Sequence, residues 1–409
     1  MRPSRRWFLR GIGAGAGSLA VGCPTTGSLT DDDDTANDDD SAANDDDATA
    51  NDDDATGSDP FEGAEFLGLA ELGPDATRPL DETINQGLDG RRYVDLADLD
   101  QDTLVLSNED FYIRTREPDL IDLTDWGVTI EGLVDSDVEV DLATLQGMAT
   151  DQGVHLMECS GNGGGGRFGL LSAAQWSGVP VTDVLDLASP TGAATRILIE
   201  GFDGHSEGST FSTPGAAWVY TREQLAAAGA FFAITMNGEP LPADHGYPVR
   251  LLVPGWYGCC CIKWVNRIAF VDDNEPATSQ MQEFAQRTHQ TQAHALASAY
   301  SPGDIHIAAM PIRVEKYRVT DGSILYKVVG LMWGGTQTTD ALTLDWGEGP
   351  VPVDTYEHAQ NLTWTLWEHA WAPPSTGSFT LAMGVDDPSI PTRRLDSGWY
   401  LRDVAIDET

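Results

Sequence analysis

Met236-Asn-Gly-Glu-Pro-Leu-Pro-Ala-Asp-His245-Gly-Tyr-Pro-Val-Arg250 continues through Val253-Pro-Gly-Trp-Tyr-Gly258 to Ile262-Lys263-Trp264. The run is dense in glycine and proline, so it reads as turns around short extended pieces and not as a helix. It sets His245, Arg250 and Lys263 along one loop–strand–loop path. The apolar flanks of Arg250 and Lys263 argue against ordinary surface charge. Cations held this way on stiff backbone suit an anionic, phosphorylated cofactor bound by charge-assisted hydrogen bonds.

Upstream, His155-Leu-Met-Glu-Cys159-Ser-Gly-Asn162 closes an apolar strand and opens onto Gly163-Gly164-Gly165-Gly166. By position alone Cys159 reads first as a small buried hydrophobe at a strand end and second as a thiolate metal ligand. Gly161 to Gly166 formally matches G-x-G-x-x-G. Ser172-Ala-Ala-Gln-Trp176, however, leaves room for barely two helical turns, too few for a dinucleotide fold. Cys259, Cys260 and Cys261 are consecutive, and neighbours on a strand face opposite ways, so no disulfide framework is expected. Cys259 and Cys260 read as small buried side chains. There is no C-x-x-C and no haem-attachment motif.

Together with Asp110-Phe-Tyr-Ile-Arg-Thr115 and Glu158-Cys-Ser-Gly-Asn162, the His245–Lys263 path resembles the sulfite oxidase family of molybdopterin enzymes. The resemblance is strong over 104–285 and weak beyond. It implies that Cys159 is the thiolate ligand of molybdenum, beside the two sulfurs of the pterin dithiolene. It places Tyr112, Ile113, Arg114, Thr115 and Arg116 at the pterin or its phosphate. Asp203, His245, Arg250 and the run Cys261-Ile262-Lys263 complete that site. Arg114 is implied as a catalytic group, and Arg402 as a substrate arginine reaching in from the C-terminal domain.

The implied fold class is α+β: a molybdopterin-binding domain over 106–288, then an all-β immunoglobulin-like sandwich over 289–409 that makes a homodimer. The implied chemistry is two-electron oxygen-atom transfer on a small-molecule substrate, a sulfur oxyanion, with electrons leaving to an external carrier. A c-type cytochrome suits that role, since the chain has no haem motif of its own and an acidic surface attracts a basic partner. Two alternatives stand beside it: a sulfoxide or oxide reductase of the same superfamily, and a cofactor-free surface-binding lipoprotein.

The sequence departs from the family where arginines follow the cysteine loop to clamp an anion. Gly163 and Gly164 stand there instead, and Arg167 is the nearest replacement. The family's pocket tyrosine has no clear match between Ser279 and His289. These losses predict a substrate larger or less charged than sulfite.

Ser4-Arg5-Arg6-Trp7-Phe8-Leu9 reads as a twin-arginine export signal over 1–23, and Leu19-Ala-Val-Gly22-Cys23 as a lipid-attachment box with Cys23 carrying the anchor. The expected location is therefore periplasmic or at the cell surface. Residues 24–60 repeat Asp, Asn, Ala and Thr and read as a disordered tether. Residues 61–105 are expected to form an arm on the first domain. The formal net charge is −42 over 409 residues. A surface this acidic repels phosphate backbones, so nucleic acid is excluded as a partner.

Overall fold

The computed structural model describes residues 59–73, 79–118, 126–205, 208–209, 212–335, 339–353, 355–356 and 363–409. The twin-arginine stretch, Cys23 and most of the Asp-rich repeat lie outside them. Among the described residues no helix is long and apolar enough to cross a membrane. Sheets dominate, and the longest α-helix among the described residues, Leu142–Met148, has seven residues. Helix Arg222–Ala227 opens on a capping box formed by Thr221 and Gln224.

Two sheets build the first domain. One has the strand order Ala217–Tyr220, Arg196–Gly201, Val265–Val271, Gly127–Gly132, Val138–Asp141. The other runs Glu239–Pro240, Phe231–Met236, Leu171–Pro180, Thr150–Glu158, with Arg250–Leu252 also paired to Phe231–Met236. Ser172–Trp176, which left room for barely two helical turns, lies within strand Leu171–Pro180. Ala173, Ala174 and Trp176 are fully buried there. Packing in the middle of the sheet overrides the helix preference of alanine.

The hairpin of Thr150–Glu158 and Leu171–Pro180 holds the cysteine loop at its open end. The Cys159 amide donates to the Leu170 carbonyl at 2.9 Å, and the Asn162 amide turns back to the Cys159 carbonyl at 2.8 Å. A small third sheet joins Thr83–Ile84, Arg91–Arg92 and Ile113–Arg114. Its register puts Ile84 opposite Arg91 and Arg91 opposite Arg114, one side-chain row across three strands.

Two further five-stranded antiparallel sheets follow. One is built on Ala308–Arg318, Ile324–Trp333 and Trp364–Trp371, the other on Leu342–Asp345, Gly377–Val385 and Arg402–Ile406. Trp371 of the first meets Phe379 of the second edge-on, with ring centroids 5.3 Å apart. The N-terminal arm divides. Glu65–Leu69 pairs with Ala308–Arg318, and Glu71–Gly73 with Arg402–Ile406. Only the part after Pro79 lies on the first domain, where the Val94 amide donates to Gly169 and the Leu106 amide to Ala173. The arm was expected to lie wholly on the first domain; free edges of the later sheets take its first strands instead.

Candidate functional site

The path from Met236 to Trp264 wraps one cavity of about 110 Å³. Tyr112, Arg114, Thr115, Cys159, Asp203, His245, Arg250, Cys261, Ile262 and Lys263 all line it. Residues far apart in sequence thus converge as the resemblance implied. Lys263 Nζ donates to the carbonyls of Asp244 at 2.8 Å and Arg114 at 3.2 Å, and to that of Thr115, so it ties the two loops together. Arg250 is buried, and its Nη1 donates to the His245 carbonyl at 3.1 Å. His245 Nε2 lies 3.2 Å from the Asn108 carbonyl, which fixes Nε2 as the donor and leaves Nδ1 as an acceptor.

The electrostatics are those of a site built for an anion. Burial, then Arg250 and Lys263, push His245 down to about 3, so it is neutral at neutral pH. Burial, then Arg250, also push the Lys263 ammonium well below its ordinary value. Arg250 Nε is buried with no hydrogen-bond partner. Such a donor invites an acceptor from a ligand. Burial pushes the Cys159 thiol up, while Arg114 and the Gly161 amide oppose the rise. That amide donates to Sγ at 3.4 Å. One soft sulfur donor beside three convergent cations fits a thiophilic metal on an anionic, phosphorylated carrier. Cys159, Cys259, Cys260 and Cys261 are all buried free thiols.

Asp203 and His205 form a hydrogen-bonded ion pair at the cavity wall, and His205 Nε2 donates to the Arg116 carbonyl at 2.8 Å. Burial lowers His205, but Asp203 and the carbonyl outweigh it and hold the ring above its ordinary 6.5. Burial raises Asp203, yet His205 and the Gly215 amide bring it below 3.8. The histidine contribution to stability is complete below 6.5 and is lost as pH rises through the raised value. The aspartate contribution is complete above 3.8 and is lost as pH falls through the lowered value. Thermal unfolding of the parent and a His205→Gln variant between pH 4 and pH 8 should therefore converge toward high pH; parallel curves would refute the pair's role.

Three expected site residues stand elsewhere. Ile113 and Arg116 line neither this cavity nor the cleft beside it. Ile113 alternates with Arg114 on one strand and so turns into the core. Arg116 is taken up by Asp244, with Nε 3.2 Å from Oδ2. Arg402, expected to reach the substrate, is likewise absent from both linings. It is buried in strand Arg402–Ile406, with its guanidinium carbon 5.1 Å from the centroid of the Phe168 ring.

The second cavity is a cleft of about 1000 Å³ that meets the first at Cys159 and Arg114. Arg91, Arg114, Arg167 and Arg287 line it, and among the described lining residues Asp89 is the one acid, with its Oδ1 3.8 Å from Arg91 Nη2. Among the described residues Arg167 and Arg287 have no carboxylate within ion-pair distance. Burial and Arg114 bring Arg91 down to about 10, still charged at neutral pH. A Cβ built on Gly161 would lie 3.6 Å from Arg287 Nη1 and 3.8 Å from Cys159 Sγ, which sets Arg287 beside the thiol. Gly163 must stay glycine: φ is +83°, and a Cβ would come within 2.7 Å of both Phe168 and Trp399.

Sequence reading missed Arg91, Arg287 and a buried pair behind the loop. Arg287 lay in the stretch searched for a tyrosine, where its own cation was the available signal. Glu158 and Arg394 form the buried pair, 3.3 Å apart. Nothing in the sequence marks Arg394 as their partner-to-be, since Leu395 and Arg393 flank it without a motif.

A family model described as the oxidoreductase molybdopterin binding domain matches residues 115–279. The chain is 28% identical over 305 residues to the NADPH nitrate reductase of Fusarium oxysporum, covering 64% of this chain and 33% of that protein. It is 38% identical over 105 residues to mitochondrial sulfite oxidase of Macaca fascicularis, covering 25% and 19%. Against sulfite oxidase of Gallus gallus it is 27% identical over 205 residues, covering 46% and 44%. The chain thus spans less than half the length of these relatives. Among solved structures, the sulfane dehydrogenase SoxCD of Paracoccus pantotrophus shares the fold, with a TM-score of 0.59 at 17% identity over 80% of this chain and 88% of that one. The thiol, the cation cradle and the matched domain agree: the chain carries a molybdopterin-binding oxidoreductase domain over 115–279, related to that of the sulfite oxidases, and its cofactor is molybdenum carried by molybdopterin.

Proposed function

We propose that this chain is an exported, lipid-anchored enzyme that transfers an oxygen atom to a small sulfur oxyanion and passes two electrons singly to an external carrier. One observation supports the reading above others: the thiol of Cys159 stands where the cofactor cavity opens into a cleft lined by four arginines. When bound, the cofactor supplies two-electron redox chemistry and an exchangeable oxygen. The chain does the rest. Cys159 anchors the metal. Arg250 and Lys263 neutralise the cofactor's anionic groups, and His245 accepts at Nδ1. Arg114 belongs to both cavities and couples cofactor to substrate. Arg91 and Arg287 replace the clamp that Gly163 and Gly164 lack. The same reading keeps the C-terminal sheets as an immunoglobulin-like dimerisation domain and a c-type cytochrome as electron partner.

Sulfite-dependent reduction of ferricyanide by molybdenum-loaded protein tests this. Charge-assisted hydrogen bonds contribute ~1.5–3 kcal/mol each. Arg287→Met is therefore expected to lower kcat/KM for sulfite ~10–150-fold, mainly through KM. Loaded protein that sulfite cannot reduce, but that reduced dye drives to deoxygenate a sulfoxide, would reverse the proposed direction.

A further inference from the structure

The cleft has far more room than a substrate of four or five heavy atoms fills. At about 1000 Å³ it stands at the upper end of pockets that take drug-sized ligands. Its lining is also graded. On one wall the cross-strand row runs Arg114, Arg91, Ile84, from the Cys159 end outward. Neighbours in such a row stand about 5 Å apart. The wall therefore passes from cationic to apolar within the length of an aromatic ring and its head group. Pro79 also lines the cleft.

Leu170 and Trp399 add apolar surface to the same lining. The Trp399 indole nitrogen donates to the Asn162 carbonyl at 2.8 Å, which ties the ring to the cysteine loop, and the residue remains 38% exposed. Gly161 and Gly164 line the cleft with no side chain to fill it. The lining beside the thiol thus includes two positions that hold no side chain.

The geometry points to an organosulfinate as the substrate class: an anionic sulfur head among Arg91, Arg114 and Arg287, and a carbon body between Ile84 and Trp399. This rests on the reading of the site as an oxygen-transferring molybdenum centre. A sulfinate is a sulfite in which a carbon group replaces one oxygen. The balanced step is R–SO2⁻ + H2O → R–SO3⁻ + 2 H⁺ + 2 e⁻. A sulfur–oxygen bond forms with oxygen from water, sulfur is oxidised, and two one-electron acceptors are reduced. Sulfur keeps its bond to carbon, so no leaving group is needed.

The test compares sulfite, methanesulfinate and benzenesulfinate as substrates of the molybdenum-loaded full chain, with ferricyanide as acceptor and the sulfonate product identified by mass. Burying an apolar group in a fitted pocket separates ligands by ~10–200-fold. The expected result is kcat/KM for benzenesulfinate at least ~10-fold above methanesulfinate. Ile84→Glu should lower the benzenesulfinate-to-sulfite ratio by a similar factor. A second readout needs no turnover: benzenesulfonate should quench tryptophan fluorescence of the cofactor-free full chain and bind ~10-fold tighter than methanesulfonate. Sulfite turnover without sulfinate turnover overturns this inference and leaves the proposed function standing. A loaded protein reduced by neither overturns both. Equal binding of the two sulfonates, or a ratio unmoved by Ile84→Glu, also overturns it.

Discussion

Replacing Arg394 by methionine is expected to destabilise the protein by ~3–5 kcal/mol, because a carboxylate is left buried without its cation. Glu158 has no solvent exposure, and the Arg394 side chain is 9% exposed. Glu158 Oε1 accepts from Arg394 Nη1 at 3.3 Å, Asn162 Nδ2 at 3.2 Å and Tyr400 OH at 2.9 Å, and Oε2 accepts from Trp333 Nε1 at 3.0 Å. Burial disfavours the Arg394 charge, but Glu158 and Tyr400 outweigh it and raise the group above its ordinary value. The three neutral donors cannot replace a full positive charge. The unfolding midpoint should fall by on the order of 10 °C. The double variant Glu158→Gln with Arg394→Met removes both charges and should recover most of that loss. A single variant within ~1 kcal/mol of the parent would contradict the role assigned to the pair. Activity should suffer too, since Arg394 Nη2 also holds the carbonyls of Ser160 at 2.7 Å and Arg287 at 3.2 Å.

The second large effect belongs to Cys159→Ser. A hydroxyl is a poorer donor to a soft, redox-active metal than a thiolate. Turnover should fall ~1000-fold or more, about 4 kcal/mol of transition-state stabilisation. Binding of the pterin should persist, because Arg250, Lys263 and His245 remain in place. Metal and pterin content, measured separately on the purified variant, distinguish a damaged centre from an empty one. A variant with the parent's turnover would remove Cys159 from the metal. Serine differs little in size, so loss of fold does not explain the result; a thermal midpoint near the parent's checks this.

Local chemistry made much of this legible in the sequence. Cations flanked by apolar residues in the His245–Lys263 run point to a buried anion site. The alternation in Val128-Thr-Ile-Glu-Gly132 suits the strand Gly127–Gly132 in which it lies, and Leu325-Tyr-Lys-Val-Val-Gly-Leu331 lies in the strand Ile324–Trp333. What stayed hidden depends on contacts between distant residues. Arg402 and Arg394 stand eight positions apart with similar surroundings; only the partners Phe168 and Glu158 decide which one reaches the cysteine loop. Arg91 enters the cleft because its strand pairs with that of Arg114, and register is not written in either dipeptide. Ala173 and Ala174 carry helix preference that a crowded sheet overrules.

The divided arm has a kinetic consequence. Leu69 meets Glu315 and Gly73 meets Asp403, so the two ends of the described chain close the later sheets together. Strand Arg402–Ile406 then lies between Glu71–Gly73 and Gly377–Val385. Native pairing of such remote segments must overcome the entropy of closing a loop that contains the whole first domain. A nascent chain emerging from the ribosome must keep Glu65–Leu69 unpaired until Ala308–Arg318 is made, and Glu71–Gly73 until Arg402–Ile406 follows.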